Sequence, residues 1–333
     1  MDSQAFFLDK CGIMKMCFSG FRRSKAPRRI PGARLYLRTD NMKRLFALAA
    51  LLLLLLGGCR AHVQADIAAT TLPVYEFTCR ITSGSGLTVT RLVTESVSCL
   101  HDYSLNVSQV KAIEAADCVV ISGAGLEEFM EDLLRDRITV DASVDIPVLE
   151  CAHLHHEDHE QADHGHHHET DSHIWLSPAN AAAMAKNICR GLSEQYPRHS
   201  ELFSDNLAAL LRDIEALEAY GAQQLQNLKT REMITFHDGF GYFAQAFDLH
   251  ILEAVEEESG SEASARELID LICIVREHNL PAIFTEINGS ASAGSVIARE
   301  TGAAVYSLDM AMSGESWFRA MYRNIDTIKE AMG

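Results

Sequence analysis

Beyond residue 60 the chain alternates short apolar runs with longer stretches in which apolar residues return every three or four positions. The short runs predict strands at 67–70, 89–93, 118–122, 233–236, 282–285 and 304–308. Helical periods fall between them, at 107–116 and 266–278. Strands alternating with amphipathic helices argue for an α/β fold with parallel sheets.

Two longer helices are predicted in the middle of the chain. Ser177 supplies an N-cap and Pro178 a first helical residue. Met184, Ile188 and Leu192 then recur at four-residue spacing, and Pro197 closes the element. Phe203, Leu207, Leu210, Ile214, Leu217, Leu225 and Leu228 mark one face of the second helix. Spanning 201–228, it would be about 40 Å long at 1.5 Å per residue. A helix of that length between two α/β halves is read as a rigid strut. The expected domains are an N-terminal lobe at 60–199, a linker helix at 200–229 and a C-terminal lobe at 230–333, with a cleft between the lobes.

The first residues read as an address. Met42-Lys43-Arg44 is a short basic segment, and 45–56 is unbroken Leu, Ala and Phe. That run is too short for a comfortable bilayer span and has the length of a signal sequence's apolar region. It ends in Leu56-Gly57-Gly58-Cys59, which looks like a lipobox with Cys59 as the lipid-bearing cysteine. A plain secretory signal or an N-terminal membrane anchor is the alternative. Residues 1–41 are basic and precede a complete signal, so they are read as an upstream extension, with Met42 as the true initiator. The expected location is outside the cytoplasm, in the periplasm or at the cell surface, with the lipid as the attachment to the membrane.

Charge sharpens this picture. Of 333 residues with a net charge of −17, the part before Cys59 holds eleven Lys or Arg and three Asp or Glu. The remainder carries 18 basic and 43 acidic residues, a net of −25. Such a surface repels nucleic acid and draws cations. No nucleic-acid partner is expected. The cysteines form no C-x-x-C pair, so zinc-ribbon spacing is absent. Cys118 and Cys273 sit in apolar runs and are expected in the core.

Residues 153–169 are of another kind. His153, His155, His156, His159, His164, His166, His167 and His168 are interleaved with acids, without apolar periodicity. A solvated acidic linker is the plain alternative, but eight histidines favour a metal-capturing loop, because neutral imidazole is the commonest metal ligand. Four isolated residues complete the metal chemistry. His101 follows the second strand after a short loop, and His173 precedes the capped helix. His237 directly follows the strand at 233–236, and Asp309 ends the strand at 304–308. Open α/β sheets bind ligands beyond the carboxyl ends of their strands. Singly, each histidine is more often a loop or satisfied core residue, and Asp309 a cap.

Together, these stretches resemble the zinc-type solute-binding proteins of ABC metal importers, the cluster A-I family. The resemblance is carried by His101-Asp102-Tyr103, by Ala115-Ala116-Asp117 running into Gly125-Leu126-Glu127, and by the histidine-rich loop. His173-Ile174-Trp175-Leu176-Ser177-Pro178, and Thr235-Phe236-His237-Asp238-Gly239 running into Phe240-Gly241-Tyr242-Phe243, extend it. Phe284-Thr285-Glu286, Ala298-Arg299-Glu300-Thr301-Gly302 and Leu308-Asp309 complete it.

The resemblance implies two α/β lobes joined by one long helix, with metal held in the cleft. It implies His101, His173 and His237 as ligands, and Asp309 at a carboxylate position that binds metal or yields to water. Ser104-Leu105-Asn106 replaces the family's usual acid and prolines, and Met310 stands where proline is common. Manganese-type relatives carry a carboxylate where this chain has His237. Three imidazoles and at most one carboxylate suit tetrahedral zinc better than an oxygen-preferring ion. Asp102 and Glu286 are candidate acceptors for the ligand imidazole N–H groups.

The implied function is extracytoplasmic capture of Zn2+ and its delivery to the permease and ATPase of an ABC importer, by a monomer. The alternatives are a metal buffer or adhesin-type surface protein, a manganese-binding member of the same family, and a zinc hydrolase. Against the hydrolase, the chain has no His-Glu-x-x-His helix, no Gly-x-Ser-x-Gly elbow and no phosphate-cradling loop. No enzymatic activity is expected.

Overall fold

The computed structural model describes residues 65–95, 100, 103–150, 170–255, 264–289 and 292–333. His101, Asp102, the histidine-rich stretch 153–169, Cys59 and everything before it lie outside the described residues.

The first lobe is built on four parallel strands. They are β1 (Ile67–Ala69), β2 (Val89–Arg91), β3 (Cys118–Ile121) and β4 (Thr139–Asp141), in the order β2-β1-β3-β4. Helices α1 (Leu72–Ile81), α2 (Val107–Ala115) and α3 (Glu131–Leu134) occur in the connections. Strand alternation divides the apolar side chains. Ile67, Ala69, Cys118 and Val120 face the main core, while Ala68 and Val119 face a smaller cluster with Leu92, Ile113 and Met130. Asn106 caps α2 with a reciprocal Gln109 bond, so the unusual Ser104-Leu105-Asn106 sequence has a local structural use. Next, β5 (Leu149–Glu150) and β6 (Thr170–Asp171) pair antiparallel, with Leu149 opposite Asp171.

Helix α4 (Pro178–Gln195) starts where Ser177 and Pro178 predict, with the Ser177 hydroxyl accepting from the Asn180 N–H. Helix α5 (Ser200–Gln224) is 25 residues long, or about 37 Å. It stops four residues short of the expected 228. Leu225 is buried at its C-cap, and Arg231 donates to the Leu225 carbonyl at 2.9 Å, so the last turn is satisfied without more helix.

The second sheet is also parallel. It contains β7 (Glu232–Thr235), β8 (His250–Ala254), β9 (Ala282–Glu286) and β10 (Ala304–Leu308), in the order β10-β9-β7-β8. Helices α6 (Gly241–Ala246), α7 (Ala265–Glu277) and α8 (Ser292–Thr301) accompany it, and α9 (Trp317–Met332) ends the chain. The expectations above include neither β4 and β8 nor the helices α1, α6, α8 and α9. Cys273 is exposed, not buried: on α7 the inward positions are Leu271 and Val275, and Cys273 lies between them on the other face. Cys79, Cys118 and Cys189 are free thiols, and burial pushes the Cys118 thiol up to about 11.

The main core runs through both halves. Trp317 of α9 meets Phe77 of α1 edge-on at 5.1 Å, and both Trp317 and Trp175 are fully buried. The molecule is a two-lobed α/β structure, with the chain reversing direction across each sheet beside its central strand. In the first sheet that switch lies between β1 and β3, and in the second between β7 and β9. Ligands settle beyond the carboxyl ends of strands at such points.

Candidate metal centre

His237 stands two residues past β7, at the switch point of the second sheet. His173 enters from the first lobe, two residues past β6 and one before a short 3-10 turn, Ile174–Leu176. Their Nε2 atoms are 3.4 Å apart, with the rings nearly perpendicular at 86°.

Asp171 sets the orientation of His173. A single oxygen, Oδ1, accepts the His173 backbone N–H at 2.8 Å and faces His173 Nδ1 at 2.9 Å. A carboxylate at Nδ1 calls for the proton there, which leaves the Nε2 lone pair aimed at the cleft. His173 and Asp171 are both buried, so this pairing is shielded from water. Asp171 is held in turn by the second lobe. The Tyr242 hydroxyl of α6 donates to its carbonyl at 2.9 Å and accepts from Leu149 N–H at 2.8 Å.

Glycine allows this close approach. A Cβ placed on Gly239 would lie 2.8 Å from His173 Nδ1, 2.8 Å from His237 Cδ2 and 2.6 Å from Met310 Cε. Met310 Cε thus packs against Gly239 as both rings do, on the Nδ1 edge of His173, and the Met310 carbonyl accepts from Trp175 Nε1 at 2.7 Å.

Asp309, the neighbour of Met310, is engaged elsewhere. Its Oδ2 pairs with Arg323, and its Oδ1 accepts from Ala311 N–H at 2.9 Å. Among the described residues, no group of three or more His, Cys, Asp or Glu is arranged to hold a metal. Of the expected ligands, then, His173 and His237 converge, Asp309 points its carboxylate at Arg323, and His101 lies outside the described residues. Glu286 is buried at the end of β9. Sequence reasoning missed Asp171 and Arg323. The Asp-x-His spacing was the available signal for Asp171, because Asp readily bonds the backbone two residues on. Arg323 carried none.

The first sheet's switch point holds a different device. Glu127 is buried there, accepting from Thr70 Oγ1 at 2.6 Å, Ser122 N–H at 2.7 Å and Gly123 N–H at 2.9 Å. Burial pushes its carboxyl up to about 7, against the opposing pull of those three bonds.

The two converging imidazoles suit a nitrogen-preferring ion such as zinc. Two imidazole nitrogens bound at about 2.0–2.1 Å in a tetrahedron stand about 3.3–3.4 Å apart, and the observed Nε2 separation is 3.4 Å.

Comparison with known proteins places this geometry in context. Residues 67–331 match the family model described as ZnuA, zinc-uptake complex component A, periplasmic. The zinc-binding lipoprotein AdcA of Streptococcus pneumoniae serotype 4 is 29% identical over 300 residues, covering 85% of this chain and 60% of that protein. The chain thus spans about three fifths of the length of this curated relative. A crystal structure of ZnuA is 29% identical with a TM-score of 0.68, covering 81% of this chain and all of that one. The Zn(II)-bound ZnuA-like domain of S. pneumoniae AdcA is 25% identical with a TM-score of 0.67, covering 81% and 99%.

Proposed function

The chain belongs to the ZnuA family of zinc-uptake components, and we propose that it captures Zn2+ outside the cytoplasm and delivers it to an ABC importer. The observation that carries this is the pair of imidazole nitrogens converging at a tetrahedral-edge distance across the two lobes. In this reading His101 supplies the third imidazole, and a fourth position is filled by Asp309 or water. The lobes divide at 60–199 and 230–333 around a linker at 200–229, most of which is α5. Asp102 and Glu286 serve as further acceptors for ligand N–H groups.

The histidine-rich stretch from His153 to His168 gathers zinc weakly and raises its local concentration. The ion then passes to the tighter site. A relative named as a lipoprotein supports Cys59 as the lipid attachment, with the protein held at the membrane as a monomer beside its permease and ATPase. Imidazole binds metal only in its neutral form, so acidification releases the ion. Family membership makes this a solute-binding component, and no catalytic step is assigned to it.

The test is calorimetric zinc titration of protein beginning after Cys59 and lacking 153–168, beside His237→Ala. One tight site is expected, weakened at least about 100-fold by the substitution, since a ligand counts for more than its outer partners. Absence of a tight site, or indifference to His237, would overturn the reading.

A further inference from the structure

We propose that residues 310–318, running from the end of β10 into the first turn of α9, are a strap held by the first lobe. The strap keeps the two lobes together with or without a metal ion, and they separate only when it lets go as a unit. This inference concerns lobe movement and does not depend on which ion the cleft takes.

The segment belongs to the second lobe by connectivity, yet its backbone is bonded to the first. Three alternate carbonyls accept from that lobe: Met310 from Trp175 Nε1 at 2.7 Å, Met312 from Leu72 N–H at 3.1 Å and Gly314 from Arg91 Nη1 at 2.8 Å. The Glu76 carboxylate of α1 then accepts from the Ser316 hydroxyl at 3.2 Å and from Trp317 N–H at 2.5 Å. A first-lobe acid thus sits at the start of α9, where negative charge is favoured. The Trp317 side chain turns the same way. It is fully buried, meets Phe77 of α1 edge-on and donates from Nε1 to the Trp175 carbonyl at 3.0 Å. The Arg80 guanidinium lies 4.9 Å from the centre of the Phe318 ring and also pairs with Asp213 of α5, so one cation joins strap, α1 and long helix.

Residues 310–316 lie outside helix and strand, so these bonds shape them. Ala311 has φ of 54°, a left-handed conformation that costs a residue with a Cβ and persists only where its surroundings impose it. Moving the second lobe away would strip the partners from three carbonyls, the Trp317 N–H and the Trp317 indole N–H, and would pull a buried indole out of the first lobe. A polar group left buried without its partner bears the full cost of desolvation. Partial release is therefore unfavourable, and the contacts break together. Helix α5 joins the lobes without requiring them to touch; the strap requires it.

Residue-resolved hydrogen exchange of the full-length chain, in excess EDTA and in Zn2+, tests this. The Leu72 and Trp317 amides are the reporters, since each is donated across the lobes. Both should stay protected in EDTA. Arg91→Ala removes the bond to Gly314, not a bond to either reporter. It should nevertheless speed both by about tenfold or more, as for loss of a hydrogen bond to a charged group. Glu76→Ala should speed Leu72 in the same way. Ala216→Gly, at an exposed position of α5, softens that helix and should leave both reporters unchanged. The β9 amides at 282–286 should keep their rates in every variant. Reporters that exchange in EDTA as fast as an unstructured peptide would show the ion holding the lobes, and would overturn the proposal. So would Leu72 protection indifferent to Arg91→Ala and Glu76→Ala, or a loss shared equally by β9, which would reflect only a less stable chain. Release of the reporters by Ala216→Gly would assign the constraint to α5 and overturn it too.

Discussion

Asp171 performs two tasks with one oxygen, closing a turn on the His173 backbone and holding the ring nitrogen remote from the cleft. Both tasks serve the direction in which Nε2 points. Asp171→Ala should lower zinc affinity about 10- to 100-fold, the usual cost of removing an outer partner of a metal-binding histidine. Unchanged affinity in a competition titration would remove Asp171 from the site. The histidines themselves were legible as isolated residues at strand and loop ends. Which nitrogen each would present was not, because a tautomer depends on the partner across the ring, and that partner is set by the fold.

Helix α5 shows how an element is tuned by its contacts rather than by propensity. Replacing Gly with Ala inside a helix would ordinarily stabilise it by about 1 kcal/mol. At Gly221, however, a Cβ would sit 2.2 Å from Cε1 of Phe247. Phe247 is buried and packed on Phe243 at 4.8 Å, so its ring has little room to yield. Gly221→Ala should therefore destabilise the protein, by about 1–3 kcal/mol as for other overpacked sites. Urea denaturation would measure it, and a more stable variant would show that the Phe247 ring can move. The same logic explains Cys273. An apolar run predicts a helix, while the three-dimensional placement of its neighbours decides which apolar residues face inward.

At the scale of the molecule, the first lobe grips the segment that leads from Asp309 into α9. Glu76 of α1 accepts from Trp317 N–H at 2.5 Å and from Ser316 Oγ at 3.2 Å, and Arg91 Nη1 donates to the Gly314 carbonyl at 2.8 Å. Burial raises the Glu76 carboxyl above its ordinary range, as it does Glu127. A carboxyl raised on folding makes the folded state bind more protons than the unfolded one. For Glu127 that stabilisation is complete below the unfolded value of about 4.5 and is lost as pH rises through about 7. For Glu127 the interval corresponds to at most about 3 kcal/mol. Glu127→Gln keeps an acceptor without the charge, so its stability should fall less than the parent's between pH 5 and 8, across the same window. Parallel pH profiles for the two proteins in chemical denaturation would contradict this account.

Much of the architecture was determined by sequence alone. Six strand positions, the Ser177-Pro178 helix start and the long amphipathic helix follow from periodicity and capping, which are local properties. The short β4, the bulged β8 and the terminal helix α9 were not singled out. The first two are too brief or irregular to show a period. The buried positions of α9 include Asn324, which has a place in the core only because Asp309 meets it there. Histidines with metal-binding chemistry were visible in the chain, as was the order of the motifs that carry the family resemblance. Tertiary structure alone decided that His173 and His237 meet at 3.4 Å, that Asp171 orients one of them, and that Arg323 engages the Asp309 carboxylate. These are contacts between residues from 2 to 64 positions apart, and packing rather than spacing brings such groups to a common point.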